Sequence, residues 1–136
     1  MYNLILSLLI LVASPLQTEN PASAPAESAL IVVVNTADWC PLCQKNGERV
    51  EKELLSKLMK DDHYMIIVND LSNEETKMAS QMKLKEAGIE NFTAENNGTG
   101  RIYMVHPESK KVLDKISVRK STDKLMMALK EAYKEI

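Results

Sequence analysis

Residues 29–43 read ALIVVVNTADWCPLC, and the change of pattern inside this stretch decides the fold. Residues 29–35 are a continuous apolar, β-branched run. Its shortness favours a strand buried on both faces over a helix. Residues 36–39 then read as a loop. From Pro41 to Lys60 the period becomes helical: Cys43, Gly47, Val50, Leu54 and Leu58 recur at steps of three and four, and Leu55 and Met59 widen the stripe. Pro41 suits a first helical turn, where its missing N–H costs nothing. Cys40 therefore stands where a buried strand hands over to a helix.

Working outward, residues 64–69 (YMIIVN) form a second buried strand. Asn73 caps the next helix, with Glu74 and Glu75 at the positive end of its dipole. Met78, Ala79 and Met82 are its expected apolar face, and Gly88 its end. Residues 89–100 read as a polar loop. Residues 102–105 are a third strand and residues 112–118 a fourth, joined by a turn at residues 106–110. Ser121, Thr122 and Asp123 open a last helix, whose buried stripe is Leu125, Met126, Leu129, Ala132 and Tyr133. The order β-α-β-α-β-β-α gives an α/β domain. Its β-α-β unit implies a parallel pair and its last two strands a hairpin. A four-stranded mixed sheet flanked by helices follows.

Before this domain, residues 4–13 (LILSLLILVA) are apolar except for Ser7. Ten residues fit a signal-peptide core, whereas a membrane span needs about 20. Ala24-Pro25-Ala26 offers a cleavage pattern, and Leu11-Val12-Ala13 another. The expected organisation is a signal peptide and leader over residues 1–26, then one domain over residues 27–136. The product is exported, periplasmic or secreted, with no stable membrane insertion once the signal is removed. The chain's 136 residues leave no room for a second ordinary domain. A net charge of −2 lacks the strongly basic footprint of a nucleic-acid-binding domain.

The two cysteines are separated by two residues. A bridge across so short a loop constrains little of the unfolded chain, so the pair reads as chemistry and not as a staple. Cys40, at a helix N-terminus, gains from unpaired amides and the helix dipole, which favour a thiolate. The attacking sulfur has to be exposed. Cys43, one turn on and closer to the core, can resolve a mixed disulfide.

The segment Ala37-Asp38-Trp39-Cys40-Pro41-Leu42-Cys43, after a buried valine strand, resembles the active site of the thioredoxin superfamily, and the order of elements resembles the thioredoxin fold. The likeness is nearest to exported, periplasmic-type thiol–disulfide oxidoreductases. It implies that Cys40 is the nucleophile, Cys43 the resolving thiol and Trp39 a shield over the site, with Pro41 and Leu42 between the thiols. It implies no cofactor and no metal. Its partners would be protein thiols and disulfides and an upstream redox partner such as a membrane reductase; the chain would be a monomer.

Two positions depart from the family pattern. Val34 stands six residues before Cys40, where the family often has a buried acid. Gly100 or Arg101 stands where it places a cis-proline before the third strand. That loop is still expected beside Cys40, with Arg101 lowering the thiol's pKa if its side chain reaches.

Two other classes of function compete. A metal-binding protein or metallochaperone would use the two thiolates, although zinc wants four ligands and neither His63 nor His106 has ligand spacing to the cysteines. A non-catalytic binding module would keep the fold alone. Met78, Met82, Met126 and Met127 read as core filler. The basic stretch of Lys110, Lys111, Lys115, Arg119, Lys120 and Lys124 reads as a solvated face.

Overall fold

The computed structural model describes residues 29–136. The expected signal peptide and the boundary at residue 26 lie outside the described residues. Four strands form one sheet in the order β2-β1-β3-β4. The central strand β1 (Leu30–Thr36) pairs parallel with β2 (Tyr64–Asp70) and antiparallel with β3 (Arg101–Val105). β4 (Val112–Ser117) closes the sheet against β3, with a bulge between Met104 and Val105. The fold is α/β, a mixed four-stranded sheet with flanking helices in the thioredoxin arrangement.

β1 is central and covered on both faces, so both of its alternating side-chain sets are apolar. Leu30, Val32 and Val34 join Ile102 and Met104 on one face. They pack there against Val50, Leu54 and Leu58 and against α5 (Thr122–Tyr133) through Leu125, Leu129 and Ala132. Each buried Leu contributes about 1.5–3 kcal/mol by leaving water. On the other face, Ile31, Val33, Ile67, Tyr103 and Val105 meet Leu84, Ile89 and Phe92.

The first helix is α1 (Pro41–Arg49), which continues as a π-helical stretch (Val50–Leu55) and one further α-helical turn, α2 (Ser56–Leu58). The regular helix expected over residues 41–60 is thus wider in its middle. Both Leu54 and Leu55 are buried there. Met59, expected in the stripe, is 66% exposed, because it stands at the helix's last turn beyond the sheet-facing residues.

α3 (Glu74–Glu86) starts at Asn73 with a reciprocal capping box to Thr76. It ends at Gly88, whose φ of 76° allows Ile89 N–H to donate to the Leu84 carbonyl at 2.9 Å. The apolar face expected for α3 is corrected: Met78 and Met82 are 70% and 65% exposed, Ala79 is exposed, and Ser80 and Leu84 face the sheet. Ser80 is accepted there because its hydroxyl receives the Asp70 N–H at 2.9 Å. Met127 is likewise exposed, whereas Met126 is half-buried and packs against the core, so of the four methionines Met126 alone acts as core filler. The stretch read as a polar loop contains one short helix, α4 (Phe92–Glu95), anchored by buried Phe92.

Candidate active site

Strand order brings the C-terminal ends of β1, β2 and β4 and the N-terminal end of β3 to one edge of the sheet. Cys40 lies there. Its N–H donates to the Ala37 carbonyl at 3.2 Å, closing the turn after β1, and its carbonyl accepts the first helical bond, from Gln44 N–H, at 3.0 Å. Cys40 is thus the N-cap of α1. Its Sγ accepts the Cys43 N–H at 3.3 Å, the place a serine or aspartate oxygen takes at other helix starts. Pro41 follows as the first helical residue and leaves no amide orphaned.

The two thiols share one small cluster with Ala37 and Leu71, and Leu42 packs against it. Cys40 is only 4% exposed, more covered than the sequence led one to expect, and Cys43 is 9% exposed. The cover comes from the loop before β3. A Cβ placed on Gly100 would lie 3.0 Å from Leu42 Cβ and 3.6 Å from Cys40 Sγ. Gly100 is held there by its N–H to the Asn35 carbonyl at 2.9 Å and by its own carbonyl, which accepts from Val118 N–H at 3.0 Å.

The thiols are driven apart in acidity. Burial pushes Cys40 up, but hydrogen bonds from the Cys43 thiol, the Thr99 hydroxyl and the amides of Cys43 and Leu42 outweigh it, so its pKa falls below the ordinary thiol value. Burial raises Cys43, and its hydrogen bond to Cys40 raises it further. The Ala37 backbone and Thr36 hydroxyl only partly oppose this. The arrangement therefore favours the thiolate form at Cys40 over that at Cys43.

The other residues singled out in the sequence divide. Gly100 touches the site. Arg101 does not reach Cys40: alternation along β3 puts it on the face of Tyr103, and its stem runs against Gly98. Thr99, not Arg101, acts on the thiol from this loop. Trp39 is 60% exposed and leans over a groove lined by Leu71, Ser72, Lys77, Gln81 and Asn97. Val34 points into the core beside Ile102 and brings no acid to Cys43. His63 is exposed and paired with Asp61, and His106 accepts two turn amides through Nδ1. Among the described residues, no group of three or more His, Cys, Asp and Glu side chains gathers as a metal site.

The sequence reading missed Asn35 and Asn69, buried at 0% and 1% exposure behind the loop. A signal was present. Both strands carry Val-Asn just before their last residue, and parallel pairing sets Asn35 beside Asn69. An apolar cavity of ≈350 Å³ was also not foreseen. It runs from Cys43 past Gly47 to Leu55 and Val68.

No protein-family model matches the chain, and no curated protein matches it. Among solved structures, one described as the crystal structure of Trxlp from Edwardsiella tarda EIB202 aligns over 76% of this chain and 84% of that chain, with 19% identity and a TM-score of 0.49.

Proposed function

We propose that this protein is a thiol–disulfide oxidoreductase acting on protein substrates through Cys40 and Cys43. One observation carries the reading: the Cys40 sulfur caps a helix N-terminus, where hydrogen bonds lower its pKa, while burial raises the pKa of Cys43 one turn on. A stapling disulfide has no use for that asymmetry. A nucleophile with a resolving partner needs it.

The Cys40 thiolate attacks one sulfur of a substrate disulfide. That S–S bond breaks, the second substrate sulfur leaves as a thiolate, and a mixed disulfide forms at Cys40. Cys43 gives up its proton to the leaving thiolate or to solvent and attacks Cys40 Sγ. The mixed bond breaks, the Cys40–Cys43 disulfide forms, and the reduced substrate departs. Two electrons pass from the protein dithiol to the substrate. A dithiol donor of lower potential, such as a membrane reductase, restores the starting state; the same steps in reverse oxidise a substrate dithiol. The apolar run over residues 4–13 is the ground for placing this exchange outside the cytoplasm, in a periplasmic or secreted product.

An insulin-reduction assay with a dithiol donor tests the reading. Wild type is expected to turn over, Cys40→Ser to lose activity entirely, and Cys43→Ser to accumulate a mixed disulfide visible by mass spectrometry. Stoichiometric Cu(I) or Zn(II) uptake by a wild type that reduces no disulfide would replace this reading with the metal-binding one. Function retained in the Cys40→Ser, Cys43→Ser double variant would favour the non-catalytic binding module.

A further inference from the structure

Asn35 and Asn69 are buried carboxamides at the dithiol end of two otherwise apolar strands. On the same face β1 and β2 carry Ile31, Val33 and Ile67, so a valine at either position would extend that core. Burying an amide costs several kcal/mol unless its hydrogen bonds are met. Here they are: among the described residues no buried side-chain N or O lacks a partner.

The bonds run in one direction, toward the loop that covers Cys40. Asn69 Nδ2 donates to Asn35 Oδ1 at 2.9 Å and to Thr93 Oγ1 at 3.2 Å. Asn35 Nδ2, oriented by that contact, donates to the carbonyls of Asn96 at 2.8 Å and Gly98 at 3.1 Å. The Asn35 carbonyl receives Gly100 N–H at 2.9 Å. One residue thus ties three points of residues 96–100. At the end of that segment Gly100 packs on Leu42 and on Cys40, where an added Cβ would lie 3.6 Å from Cys40 Sγ, and the neighbouring Thr99 hydroxyl lowers the Cys40 pKa.

We propose that Asn35 and Asn69 are positioning residues, whose buried amide pair holds residues 96–100 against Cys40 and so sets the reactivity of its thiol. The proposal rests on the exchange reading for its biological use, but it is tested without exchange. The loop has no proline to stiffen it at residues 96–100. The amide pair supplies rigidity from behind, at the one sheet edge where a loop shift of an ångström alters the nucleophile's surroundings.

The test is the pH profile of iodoacetamide alkylation at Cys40 in the full reduced protein, with mass spectrometry locating the modified thiol. Asn35→Ser and Thr99→Val are each expected to raise the midpoint by about half a pH unit, about a threefold loss of thiolate at pH 7. The double variant is expected to shift no further than the larger single one, because Asn35 acts through Thr99. Asn35→Ser with native near-ultraviolet circular dichroism and an unmoved midpoint would overturn the proposal, as would fully additive shifts. If Asn35→Ser does not fold, Thr93→Val decides. It removes one acceptor from Asn69 at a half-buried site, and an unmoved midpoint there is equally fatal. These shifts in the variants, together with a wild type that reduces no disulfide, would end the exchange reading and leave the positioning one standing.

Discussion

Gly100 carries two constraints that no other residue type meets together. Its φ of 69° lies in the left-handed region, and the space beside it is already filled by Leu42 Cβ, an atom too near its own backbone to swing away. Gly100→Ala should therefore destabilise the fold by about 1–3 kcal/mol, left-handed strain and the clash acting together. Urea unfolding would read the loss. Gly98→Ala is the control: its φ is not in that region, and its nearest neighbours include the flexible Arg101 stem at 3.2 Å. A Gly98→Ala loss equal to that at Gly100 would mean that crowding alone, without backbone strain, explains the loop. The sequence placed Gly100 and Arg101 equally near the dithiol. It could not choose between them, since one residue of strand register moves a side chain to the opposite face.

At the level of the element, α1 is legible and α3 is not, for a physical reason. From α1 through the π-helical stretch to α2 the apolar stripe is both periodic and long, so it names its own buried face. In α3 the apolar residues are methionines with helical spacing, but the face that meets the sheet uses Leu84 and a hydrogen-bonded serine, which hydrophobicity does not reveal. The π-helical widening over Val50–Leu55 gave no sign beyond the adjacent pair Leu54 and Leu55. Beneath this helix lies the cavity beside Cys43, and Gly47 opens onto it: apart from its chain neighbours and the helix's own backbone, no atom lies within 4 Å of a Cβ added there. Gly47→Ala is accordingly expected to stabilise the protein by about 0.5–1 kcal/mol, since a mid-helix glycine loses more backbone freedom on folding than alanine does. A rise in the urea midpoint with an unchanged slope would support this. A fall would show that the cavity is kept open by something the added methyl meets.

For the whole molecule, the topology was readable because strand lengths, turns and periodicity agree with one another. The parallel β1–β2 pair, the β3–β4 hairpin and the helices on both faces all follow from short apolar runs and their connections. The ties between distant elements were not readable, because hydrogen bonds to backbone carbonyls leave no mark in composition. Arg49 is the clearest case. From the last turn of α1 it donates to the carbonyls of Val118 at 2.6 Å and Lys120 at 3.0 Å and to Thr122 Oγ1 at 2.9 Å, bracing the first helix against the segment between β4 and α5. Thr122 in turn donates to Glu53 at 2.8 Å. Arg49→Met keeps most of the aliphatic stem and removes every donor, so the expected cost is about 1–3 kcal/mol in unfolding free energy. Arg49→Lys, with a point charge in place of the planar fork, should recover only part of it. A fourth bond runs to Asn46 Oδ1 at 3.4 Å, so all four acceptors are neutral: two backbone carbonyls, one hydroxyl and one side-chain amide. The loss should therefore persist at high salt, unlike that of a surface ion pair. Equal stability of wild type and Arg49→Met in urea would show that core packing alone docks α1 against α5.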